Sequence, residues 1–150
     1  MTPNFTRHGN TAEFARRAIE GALPHAAALG ILIAAAVVDA GGNHVVFERM
    51  DGAQIVAAPL AIGKAWSAVV CSTPTDMWAA ATQRGTVDWG SNTALGGRVV
   101  VTPGGAPVLV RHQLIGVIGV SGGVGFQDRD WSGTVVGLLT SDESCAPRGG

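Results

Sequence analysis

The sequence predicts an α/β domain of the α+β kind, in which a five-stranded antiparallel sheet is flanked by helices. Three observations predict it. Helical spacing and short β-branched runs follow one another in the order helix, two strands, two helices, three strands, helix. Short glycine-containing turns join the strand runs, which suits antiparallel neighbours. With 47% hydrophobic and only 14% charged residues among 150, the chain suits one compact domain that hides much of its surface, part of it between subunits.

The first helix should start near Thr11. Asn10 and Glu13 form a capping-box pair, and Phe14, Ala15, Ala18, Ile19 and Ala22 then share a face. Gly21 and Pro24 interrupt the pattern, so the helix bends or restarts with Pro24 in a first turn before Gly30. "ILIAAAVVDA" is apolar on both alternating faces, as in a strand covered on both sides. "AGGN" then turns the chain into "HVVFERM", completing a hairpin.

"VAAPLAIGKAWSAVVC" predicts a buried alanine-rich helix with Pro59 near its first turn. Thr73 as cap, Pro74 in the first helical position and Asp76 predict a further helix running to about Arg84 and stopping at Gly85. Residues 86 to 96, "TVDWGSNTALG", read as a binding loop carrying Trp89. "RVVV", "VLVR" and "LIGVIGV" predict three strands in a meander, and residues 126 to 139 a last helix. The organisation is a tail (1–10), a domain (11–139) and a second tail (140–150).

Formal net charge is −1 and the basic residues are scattered, so the footprint of a nucleic-acid or anionic-membrane binder is missing and a small-molecule ligand is expected. The N-terminus lacks a basic region followed by an apolar run and a small-residue cleavage site, which predicts a cytoplasmic protein. Gly30 to Val38, the most apolar run, is too short to cross a bilayer. Cys71 and Cys145 cannot build a disulfide scaffold, and Cys71 reads as an inert core thiol.

Gly119-Val120-Ser121-Gly122-Gly123 matches the nucleophile-elbow pattern, but all four histidines precede Ser121, whereas the elbow needs one after it. Glycine there instead lets the backbone approach a ligand or helix closely. Backbone N–H groups at Gly104, Gly105, Ser121 and Gly122 could hold an anion. Lys64 is the one charge between Gln54 and Cys71. Buried, it needs an anionic partner or must lose its proton; it reads as a ligand contact, as a base, or as half of an ion pair with Asp39 or Asp51.

Arg49 could fork onto a carboxylate or pair with Asp51. His44 and Glu48, four apart in a strand, should share a face, but no third ligand for a metal accompanies them. His25 and His112 join His44 as residues able to meet a haem iron, the alternative for each being a solvated or hydrogen-bonded imidazole.

"AAVVDAGGNHVVFERMDGA" (35–53), "AIGKAWSAV" (61–69), "PGGAPV" (103–108) and "IGVIGVSGGVGFQD" (115–128) together resemble the GlcG/HbpS/PduO C-terminal-domain family. The resemblance covers about residues 11 to 139. It implies a profilin-like fold with a five-stranded sheet, homo-oligomers, and in some members haem binding or haem degradation. His112-Gln113 replaces the family's usual acidic-glycine hairpin, and the Glu-x-x-x-Glu pair of a secreted member is missing.

Two functions follow. One is a cytoplasmic haem- or tetrapyrrole-binding protein, with His25, His44 or His112 at the iron and Arg49 or Lys64 at a propionate. The other is a cofactor-independent enzyme in which Lys64 with Asp39 or Asp51 moves protons, the glycine turns hold an oxyanion and Trp89 contacts the substrate.

Overall fold

A computed structural model describes residues 12 to 141. Asn10, Thr11, His8 and the segment with Cys145 lie outside the described residues. Helix α1 (Ala12–Ala28) buries Ala15, Ala18, Ile19, Ala22 and Ala26, the stripe that the 3.6-residue period sets out. The helix neither stops nor restarts at Pro24. Its ring removes the donor to the Glu20 carbonyl, but both residues are exposed, so water can serve that carbonyl. Gly30, at φ +70°, closes α1 with paired bonds from its own N–H to Ala27 O (2.9 Å) and from Ile31 N–H to Ala26 O (3.1 Å).

Strands β1 (Ala34–Asp39), β2 (His44–Arg49), β3 (Gly105–Val110) and β4 (Gln113–Ser121) form one antiparallel sheet in the order β2-β1-β4-β3. Among the described residues the sheet has four strands, not five. Residues 98–101, expected as a strand, are held by helix α2 (Ala57–Val70) instead: Val100 N–H donates to Ser67 Oγ at 2.8 Å, and the Arg98 guanidinium stacks 3.8 Å above the Trp66 ring. Gly63 lets Val100 in, since a side chain there would meet Val100 Cγ2 at 2.6 Å.

Each face of the sheet is covered by helix. On one face, α1 and α5 (Gly125–Ser141) pack on Ala35, Val37, Val108, Ile115, Ile118 and Val120. On the other, α2 lays Ala57, Ala61, Ala65 and Ala68 on Ala34, Ala36, Val38 and Val117. The double-sided apolar pattern of β1 thus has its cause, burial between two helical layers.

Across the sheet, Phe47, Ala36, Gly119 and Gly105 form one row on the α2 side. The missing side chains at Gly119 and Gly105 bring the α2 backbone against the strands, where Cβ atoms would strike Ala61 O and Lys64 O.

Helix α3 (Thr75–Ala81) is shorter than expected at both ends. Pro74, at ψ 141°, is the residue before the helix, so Thr73 does not cap it. At the far end the Thr82 hydroxyl donates to Trp78 O at 2.8 Å and the Thr86 hydroxyl reaches the carbonyls of Ala81 and Gln83, replacing the next helical turn. The following loop contains a 3-10 turn (Ser91–Thr93) and one further turn, α4 (Ala94–Gly97), with left-handed residues at Leu95, Gly96 and Gly97.

A bulge in β2 changes one expectation. Val37 pairs with Val46 but Val38 pairs with His44, so Val45 is the extra residue, and Val45 and Val46 both pack on the α1–α5 side. Glu48, opposite Ala35, shares that side. His44, opposite Val38, is turned to the α2 side. The two residues expected on one face therefore stand on opposite faces, because the bulge shifts the two-residue alternation by one.

Candidate functional site

Lys64 projects from the middle of α2 and is 2% exposed. Its ammonium donates to Asp128 Oδ2 at 2.8 Å, to Val120 O at 3.0 Å and to Ser121 Oγ at 3.3 Å. Three acceptors match the three N–H bonds of an ammonium, so the buried charge is both paired and solvated by the protein. Asp128 lies in the first turn of α5, where Gly123 N–H donates to its Oδ1 at 2.9 Å. Burial pushes the Asp128 carboxyl above its ordinary range, while Lys64 and the Gly123 and Gly122 N–H groups act in the opposite direction.

Glycines form the walls of this cluster. At Gly104 (φ +123°) a side chain would meet Asp128 Cβ at 2.9 Å and Lys64 Cδ at 3.2 Å. Gly105 N–H is taken by the buried Thr75 Oγ1 at 2.9 Å. Thr75→Val keeps the shape and removes that acceptor; the expected cost is about 1–3 kcal/mol for the buried N–H left alone, checked by urea denaturation. A change inside experimental error would show that water replaces the hydroxyl.

Lys64, Gly104, Gly105, Ser121 and Gly122 are brought together as neighbours. The expected anionic partner is corrected: Lys64 pairs with Asp128, not with Asp39 or Asp51. Asp39 is engaged in the hairpin turn, where its Oδ1 accepts from Gly41 N–H (2.8 Å) and Asn43 N–H (2.9 Å). Asp51 is exposed in the turn after β2.

The Asp128, Thr75 and Ser67 roles were not anticipated from sequence. Asp128 carried one available signal, a carboxylate just after a glycine-rich strand exit.

The remaining predicted residues are dispersed and accessible. Trp89 is 63% exposed in the loop before α4. His25 is exposed near the end of α1, His44 and Arg49 are exposed on the edge strand β2, and His112 is exposed in the β3–β4 turn at φ +64°. Cys71 is half-buried beyond α2, and burial pushes its thiol up, towards the unreactive protonated form. Among the described residues, no three His, Cys, Asp or Glu side chains are grouped to hold a metal ion, and no helix is long and apolar enough to cross a membrane.

The family model described as haem degrading protein HbpS-like matches residues 11–135. The corrinoid adenosyltransferase PduO of Citrobacter freundii is 34% identical over 118 residues, which are 79% of this chain; the chain spans 35% of PduO's length. Klebsiella pneumoniae protein ORFY has a structure similar at a TM-score of 0.89 with 28% identity, covering 95% of this chain and 99% of that one. The structure of the PduOC–haem complex is similar at a TM-score of 0.83 with 32% identity, covering 86% of this chain and 94% of that one.

Proposed function

This chain belongs to the HbpS-like family of haem degrading proteins, and from that premise we propose that it binds haem or a related tetrapyrrole through an accessible histidine. The observation that carries the reading is the likeness to PduOC, whose structure is a complex with haem. The donor chemistry here fits such a group. His25, His44 and His112 all present exposed imidazoles, the side chain that most readily ligates haem iron, and Arg49 is an exposed guanidinium able to meet a propionate. Haem, when bound, supplies an iron centre that takes up ligands and exchanges electrons. Assistance in haem breakdown is the narrower form of the same proposal and is supported by the family's description.

The proton-transfer alternative centres on Lys64, now with Asp128 in place of Asp39 or Asp51. Its support is weaker, because all three ammonium hydrogens already have internal acceptors and the group is closed off from solvent.

Titrating the purified protein with haem in the micromolar range tests the reading. A saturable change in the Soret band is expected, and a purely linear response would overturn it.

A further inference from the structure

We infer that the haem site is the strip of β2 facing the α2 side of the sheet, with His44 as iron ligand, Phe47 beneath the ring and Arg49 at a carboxylate. This rests on the haem-binding reading above and names the surface that carries it. Strand pairing supplies the argument. His44 lies opposite Val38, Phe47 opposite Ala36 and Arg49 opposite Ala34, and those three β1 residues all form the floor under α2. Partners in an antiparallel pair share a face, so His44, Phe47 and Arg49 project to one side.

The bulge is what makes this possible. Without it, His44 would alternate with Phe47 and Arg49 and point the other way.

α2 packs on β4, β1 and β3 and only grazes β2. Its alanines lie on Ala36 and Gly119, and Phe47, the last residue of that row, remains 42% exposed beside the helix. Trp66 stands over Gly42, two residues before His44, and carries the Arg98 guanidinium on its ring, so an aromatic wall and a second cation border the His44 end.

Two row spacings, about 13 Å along the strand, separate His44 from Arg49, with Phe47 between them. An imidazole, a phenyl ring and a guanidinium spaced in this way suit a broad, flat, anionic macrocycle with a ligand-accepting centre, rather than a compact anion. His25 and His112 have no comparable setting: one lies on the outer surface of α1 and the other in the β3–β4 turn, separated from β2 by β1.

The test compares haem with iron-free protoporphyrin on the full chain, using His44→Ala, Arg49→Gln, His25→Ala and His112→Ala. All four positions are exposed, so the variants should fold as the parent does, which circular dichroism checks. Arg49→Gln is expected to weaken both ligands roughly 10- to 100-fold, the value of a charged hydrogen bond. His44→Ala is expected to shift the Soret band and weaken haem, leaving protoporphyrin affinity unchanged. His25→Ala and His112→Ala should match the parent.

If the parent binds haem but His44→Ala or Arg49→Gln does so equally well, or if His25→Ala or His112→Ala abolishes the Soret change, the strip is overturned and the haem reading stands. If the parent shows no saturable change, both fall.

Discussion

Lys64→Met is expected to destabilise the protein by about 3–5 kcal/mol, the usual cost of leaving one member of a buried ion pair behind. That is a large share of the roughly 5–15 kcal/mol that holds a domain together. The cause is Asp128, which is 3% exposed and would keep only backbone N–H partners, next to the unmatched acceptors Val120 O and Ser121 Oγ. Lys64→Met combined with Asp128→Leu should recover most of the loss, because a well-packed apolar pair of similar volume is often as stable as the charges it replaces. Urea denaturation of the four proteins closes the double-mutant cycle. Additive losses, with no recovery in the double variant, would show that the two side chains do not act as a pair.

A pH dependence follows from the same cluster. Because burial raises the Asp128 pKa above its unfolded value, the folded state holds the proton more tightly than the unfolded state. The stability that this contributes is complete below the ordinary carboxylate range and is lost as pH rises through the raised pKa. Asp128→Asn should lack that falling component in a plot of unfolding free energy against pH.

Gly119→Ala is the second large effect expected, about 3 kcal/mol or more, and Gly119→Val should prevent folding altogether. An added Cβ would strike Ala61 O, and would stand 2.6 Å from Ala65 N and 3.0 Å from Ala65 Cβ. Two of these atoms are backbone in the middle of α2, so relief requires moving the whole helix off β4. Gly133, where an added Cβ meets nothing within 4 Å, serves as the control: Gly133→Ala in α5 should be neutral or slightly stabilising through helix propensity. Thermal melts of the two variants suffice, and a Gly119→Ala protein as stable as its parent would refute flush packing of α2 on the sheet.

Most of the layered architecture was legible from short-range pattern. The stripe of α1, the two-sided apolar run of β1, the hairpin and the buried helix around Lys64 all depend on residues a few positions apart. The strand expected at 98–101 failed for a reason that no local pattern contains. Its β-branched residues suit a strand equally well, but a hydroxyl on α2 took the Val100 N–H and a glycine opened room for its side chain. The candidate site divided in the same way. Lys64 stood out as a lone charge in an apolar run, whereas its partner Asp128 is 64 residues away and was invisible to spacing.

By itself, the sequence determined the family, the helix–sheet layering and the requirement that Lys64, if buried, find an anionic partner or lose its proton, since periodicity, turn chemistry and the cost of a buried charge act residue by residue. Only the tertiary structure decided which acid answers that need, which segment joins the sheet and which way His44 faces. Those outcomes depend on contacts between distant parts of the chain, and a single extra residue in β2 was enough to turn the imidazole to the other side.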